Sequence, residues 1–239
     1  MHWWKDQPDL LAGRDLVAGG TWLGLHRNGA FAAVTNFRRP VEFREEAKSR
    51  GRLVTRFLES AGDTDSFEAF LAREHRSYNP FNLVYGSTAG LYTWGYEDPV
   101  AVRLKQGIHS ISNGPMDNHW PKMSLGVREL SYRVHQKSSL TPEALLPVML
   151  DTTPAADRDL PDTGYDLARE RLLSPIYIRG ADYGTRTTTI LLFRRGAVEI
   201  AEYQHDMGSS AVDSSRFHVI TNDVGNGPGE APFRDFADA

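Results

Sequence analysis

Paired apolar runs joined by tight turns constrain this chain more than any other feature. The stretch GGTWLGLHRNGAFAAVTNF, residues 19–37, holds two such runs around Asn28-Gly29. Both turn residues tolerate positive φ, so the spacing predicts a β-hairpin of TWLGLHR with FAAVTNF. A second hairpin is predicted within GTRTTTILLFRRGAVEIAEYQHD, turning near Arg195-Gly196. FNLVYGS and LYTWGYE form a third strand pair, followed by a strand over VRLKQGIHSISN that Pro115 must stop. SPIYIRG and SRFHVITND complete the set of expected strands. Strands joined as hairpins pair antiparallel.

The helical period appears in pairs of segments between these strands. SRGRLVTRFLES puts Leu53, Val54, Phe57 and Leu58 on one stripe. SFEAFLAREHRSY does the same with Phe67, Phe70 and Leu71, with Ser66 as the expected N-cap. PKMSLGVRELSYRVHQK aligns Met123, Val127, Leu130 and Val134, and TPEALLPVMLDT begins with Thr141 as N-cap and Pro142 at the first position. TTPAADRDLPDTGYD reads as a mobile loop, and Trp3 and Trp4 have little before them to pack against. The expected order is β-β, α-α, β-β-β, α-α, β-β-β. Helices in pairs, rather than singly between parallel strands, exclude a doubly wound fold and predict an α+β class. Two antiparallel sheets with helices outside both, a four-layer αββα sandwich, would bury every stripe. One domain over 1–224 is expected, with 225–239 a disordered tail.

Composition narrows the functions. The 239 residues carry a formal charge of -4, which argues against a nucleic-acid binder with its basic excess. The chain contains no cysteine, so these residues supply no disulfide, thiolate metal site or cysteine nucleophile. No apolar run approaches the ~20 residues that span a bilayer, and no leader pattern opens the chain. The expectation is a soluble, cytoplasmic protein. Histidines show neither HxH nor HxxxH spacing, and GxSxG, GxGxxG and GxxxxGK[ST] are absent. The sequence therefore calls for no metal and no cofactor.

Three polar residues stand out on apolar strands. Asn36 ends FAAVT, sharing a face with Ala32 and Val34, and Asn113 ends HSISN before Gly114-Pro115. Each is either an asparagine completing a turn or an amide aimed at a developing oxyanion. Arg186 leads into TTTILLF, on the face of Thr188 and Ile190, where a guanidinium needs a carboxylate, an anionic ligand or a catalytic pocket.

GGTWLGL, FAAVTNF, the helix around VTRFL, YNPFNLVYG, GIHSISNGPMDNHWPKM and DYGTRTTTILLF occur in one order from about Trp4 to His205. Together they resemble the NRDE family, also called the transport and Golgi organisation two family. The resemblance implies a fold like that of N-terminal nucleophile hydrolases. There an N-terminal cysteine attacks an amide carbonyl with its own α-amino group as base. By that analogy Asn36 and Asn113 match oxyanion and substrate-binding amides, and Arg186 matches a later pocket arginine. Family members begin Met-Cys and carry an Asn-Arg-Asp-Glu motif. Neither is present here, so the chain is expected to lack the family's first few dozen residues and its nucleophile. Two functions follow from the resemblance: amide or acyl hydrolysis, or non-catalytic carriage of a small ligand of haem, lipid or acyl-coenzyme A type in the inter-sheet cleft. For haem, His109 and His119 are the candidate axial ligands, against a plain surface role. A purely structural module that binds a partner is the third possibility. Oligomeric state is open.

Overall fold

The computed structural model describes residues 1–136, 140–206 and 212–221, and these fall into two compact units. The first comprises Met1–Gly107 and Ile111–Asp117, with Ile220 and Thr221; the second comprises Ile108–Ser110 and the described residues of Asn118–Val219. The tail from 225 lies outside the described residues.

The first unit is a seven-stranded antiparallel sheet in sequence order. Its strands are β1 (His2–Trp3), β2 (Leu10–Ala12), β3 (Leu23–His26), β4 (Phe31–Asn36), β5 (Phe81–Ser87), β6 (Gly90–Gly95) and β7 (Ala101–Arg103). The Asn28-Gly29 turn forms as expected, with Gly29 at φ +92°. Helices α1 (Gly51–Glu59) and α2 (Thr64–Glu74) lie between β4 and β5 in sequence. Leu53, Val54, Phe57 and Leu58 of α1 pack with Ala32 and Val34 of β4 and Leu83 and Tyr85 of β5. Phe57, Phe67 and Tyr85 interlock at ring-centroid distances of 5.1–5.3 Å. Backbone approach is close: a Cβ on Gly20 would lie 2.6 Å from the Gly51 carbonyl carbon. The other face of the sheet is apolar too, since Leu11 and Leu25 are fully buried outside the helix-side cluster. On β4 that second face carries half-buried Phe31 and Ala33, which fits FAAVTNF reading as an unbroken apolar run.

Three expectations for this unit are corrected. The N-terminal tryptophans are structured: Trp4 is buried, its Nε1 donates to the Ala12 carbonyl at 3.3 Å, and the Arg14 guanidinium stacks on its ring at 4.3 Å. The N-cap of α2 is Asp63, which accepts from the Ser66 main-chain N–H at 3.2 Å. The strand expected over VRLKQGIHSISN is cut short: β7 ends at Arg103, the Leu104 N–H makes a last bond to the Leu91 carbonyl at 2.8 Å, and Lys105, Gln106 and Gly107 after it are exposed. Asn113 therefore lies in a loop, not at a strand end.

The second unit contains α3 (Pro121–His135), α4 (Pro142–Met149), α5 (Leu167–Leu173), β8 (Thr187–Arg194), β9 (Ala197–His205) and β10 (Val212–Ile220). Its sheet has three strands in the order β10-β9-β8. β8 and β9 pair antiparallel through the Arg195-Gly196 turn, as expected. Thr141 caps α4 by accepting from the Ala144 N–H at 3.2 Å, and Leu145 and Leu146 pack on Ile190, Ala201 and Tyr203. On α3 only Met123 of the expected stripe is fully buried; Val127, Leu130 and Val134 are half-buried. LARERLL, unassigned from sequence, forms α5, whose buried Glu170 accepts from the Thr163 N–H at 3.1 Å. SPIYIRG makes only an isolated bridge, Arg179 with Gly184. The described residues thus form an α+β protein of two antiparallel sheets carrying helices. No helix among them is long and apolar enough to cross a membrane.

Candidate functional site

The polar residues of the first unit converge where the loop Ser112–Gly114 is fastened to β4 and β5. Thr35 and Asn82 are cross-strand partners. Both donate to the Ser112 carbonyl, Thr35 through Oγ1 at 2.6 Å and Asn82 through Nδ2 at 3.4 Å. Asn82 Nδ2 also donates to the Gly114 carbonyl at 2.7 Å. Asn82 is buried at 4% exposure, so its amide needs these partners to offset desolvation.

Asn113 is held from both ends of its amide. Nδ2 donates to the Asn36 main-chain carbonyl at 2.8 Å, and Oδ1 accepts from Arg38 Nη2 at 3.4 Å. The Arg38 main-chain N–H donates to the Asn113 carbonyl at 2.7 Å. Asn113 thus acts as a main-chain staple that makes the loop follow the end of β4.

Asn36 meets Asn113 only through its backbone. It is exposed at the end of β4, and the alternation of the strand puts its Cβ on the side of Ala32 and Val34, which pack under α1 and α2. The Thr35 and Asn82 side chains, and the loop they hold, belong to the opposite face. Two of the three singled-out residues are therefore neighbours, joined by a carbonyl rather than by converging amides.

Arg186 belongs to the second unit. Sequence periodicity puts it inside a buried strand; the structure places it just before β8 and exposed, with its carbonyl accepting from the His205 N–H at 2.8 Å. A guanidinium there stays hydrated, so no buried partner is required. Behind it lies a polar cluster that no sequence pattern singles out. His205 Nε2 and Thr188 Oγ1 are 2.9 Å apart, and the imidazole meets the edge of Tyr177 at a centroid distance of 4.9 Å. His205 and Thr188 are both buried, and burial pushes the imidazole pKa below the ordinary histidine range. His109 and His119 are both exposed.

Asn82 and Thr35 are the site residues the sequence reading missed. A signal exists: Asn82 interrupts FNLVYG, and an asparagine buried among apolar strand residues must hydrogen-bond something.

Comparison with known proteins decides the family. The sequence matches the family model of Transport and Golgi organisation 2 over residues 1–206. The chain belongs to this family. It is 30% identical over 205 residues to the Transport and Golgi organization 2 homolog of Mus musculus, covering 79% of this chain and 74% of the mouse protein. The homologs of Homo sapiens and Bos taurus are likewise 30% identical, over 205 and 207 residues, with the same coverage. The family match takes in Thr35, Asn36, Asn82, Asn113, Arg186 and His205 together.

Proposed function

We propose that this Transport and Golgi organisation 2 family protein is a non-catalytic carrier of an amphipathic acyl ligand, of the lipid or acyl-coenzyme A type. The reading takes the fold as a relative of the N-terminal nucleophile hydrolases, used for binding. The observation that carries it is the state of Asn113: both ends of its amide are engaged in holding the loop, so it is not offered to an oxyanion. Asn113, Thr35 and Asn82 hold their own loop in the first unit in this account. In the second unit, exposed Arg186 supplies the cation for an anionic head group. Haem is the less favoured cargo, because His109 and His119 are exposed and neither is enclosed as an axial ligand. The cytosol is the proposed compartment.

Titration of the full chain with palmitoyl-coenzyme A, read by tryptophan fluorescence, tests the reading. Saturable binding that weakens about tenfold in Arg186→Ala supports it. Binding that Arg186→Ala leaves unchanged removes Arg186 from the site, and release of free coenzyme A makes the protein a hydrolase instead.

A further inference from the structure

Among the described residues β8 is an edge strand, paired on one side only. Its sheet runs β10-β9-β8, so β8 pairs with β9 alone among the described strands. The register fixes which groups are engaged. The His205 N–H donates to the Arg186 carbonyl, and the two-residue turn Arg195-Gly196 closes between Arg194 and Ala197. Both facts put the hydrogen-bonded pairs at 188, 190, 192 and 194. The N–H and C=O groups of Thr187, Thr189 and Leu191 therefore point away from β9. Among the described residues, no main-chain hydrogen bond reaches them from another element.

Edges are normally blunted. The seven-stranded sheet ends on β1 and β7, of only two and three residues. β8 has eight, without proline, lysine or an acidic residue, and runs TTTILLF before its first charge. One of its faces is already organised: Thr188 and Ile190 are buried, with Leu145 and Leu146 of α4 over Ile190. On the other face Thr187 is exposed and Thr189 and Leu191 are half-buried.

Charge states what kind of strand fits. Arg186 precedes β8 and Arg195 follows it; both are exposed, and neither forms an ion pair among the described residues. A second copy pairing antiparallel about Ile190, the register that lets Thr189 face the other copy's Leu191, would set Arg186 against the other copy's Arg194, a like-charge contact that opposes association. An extended strand with an apolar, β-branched centre and carboxylates at both ends meets every feature of the edge.

We propose that the open edge of β8 takes up such a peptide by strand addition. Thr187, Thr189 and Leu191 supply the main-chain pairing, and Arg186 and Arg195 select acidic ends. This surface shares Arg186 with the proposed acyl site, while Arg195 and the outward main chain of β8 belong to it alone, and it stands without the carriage of an acyl ligand.

The test uses the full chain and fluorescein-labelled peptides of seven alternating Val and Thr residues, flanked by Glu-Glu or by Lys-Lys, read by anisotropy. The Glu-ended peptide should bind saturably and the Lys-ended peptide at least tenfold more weakly. Arg195→Glu, an exposed turn change that leaves the ladder intact, should weaken the Glu-ended peptide at least tenfold while leaving palmitoyl-coenzyme A binding unchanged. Thr189→Pro, which removes an outward N–H without touching a bond to β9, should abolish peptide binding. Equal binding of the two peptides, or indifference to Arg195→Glu, overturns the proposal. So does a concentration-dependent dimer that Thr189→Pro dissolves, which would make a second copy the occupant.

Discussion

Asn113 donates its side-chain amide to the main-chain carbonyl of Asn36 at 2.8 Å, across 77 positions of sequence. This bond, with the Arg38 contact to Asn113 Oδ1, makes the loop conformation depend on one side chain. Asn113→Ala should lower stability by about 1 kcal/mol, the scale of one exposed and one part-buried hydrogen bond. Urea unfolding measures it. An unchanged midpoint would mean that the staple does not hold the loop.

Thr35 and Asn82 share one acceptor, the Ser112 carbonyl. Their contributions should be non-additive. Thr35→Val and Asn82→Leu should each destabilise by about 1–3 kcal/mol, and the double variant should differ from their sum by roughly 0.5 kcal/mol or more. A double-mutant cycle in urea settles this; strict additivity would contradict a shared acceptor.

Gly20 faces the first residue of α1 across a gap that admits no side chain. An added Cβ would stand 2.6 Å from the Gly51 carbonyl carbon and 2.8 Å from its oxygen, main-chain atoms that cannot rotate away. Gly20→Ala should therefore cost about 2–3 kcal/mol, the range of overpacking in a core. A thermal melt within error of the parent would show that α1 shifts freely on the sheet.

His205 gives stability a pH dependence of definite sign. Burial lowers its folded pKa, so the unfolded chain takes up the proton first as pH falls. Stability is fully present above the ordinary histidine range. It declines through that range until the folded imidazole also protonates. Urea midpoints between about pH 5 and pH 8 should fall on the acid side, and His205→Gln should flatten that slope. An equal slope in both proteins would assign it to other groups.

Local chemistry was legible in the sequence; edges and ends were not. The turns at Asn28-Gly29 and Arg195-Gly196, the α1 stripe and the Thr141 cap all depend on residues within one turn of each other, and all appear where the sequence put them. The third strand was overcalled because VRLKQGIHSISN has strand-like composition. Pairing also needs a neighbour, and β7 is the last strand of its sheet. β1 and β2 were missed because strands of two and three residues carry no period; Trp4 is fixed by Ala12 and Arg14, contacts invisible in local pattern. α5 is seven residues long and follows a Pro- and Asp-rich run that masks its N-cap, Asp166. At the site, Asn36 and Asn113 were found as polar residues ending apolar runs, and they do meet. Arg186 was read as buried because alternation was extended one residue before β8 begins. Asn82 was overlooked because its role lies in an irregular loop, 30 to 32 positions away, that no periodicity announces.

The central claim is carriage without cleavage, and one measurement addresses it directly. The full chain is incubated with palmitoyl-coenzyme A at neutral pH, the complex is isolated by gel filtration, and its ligand is identified by mass spectrometry. The account predicts palmitoyl-coenzyme A co-eluting intact with the protein, in an amount that falls in Arg186→Ala. Free palmitate and coenzyme A formed in proportion to protein concentration, or a protein peak that carries no ligand, would contradict it.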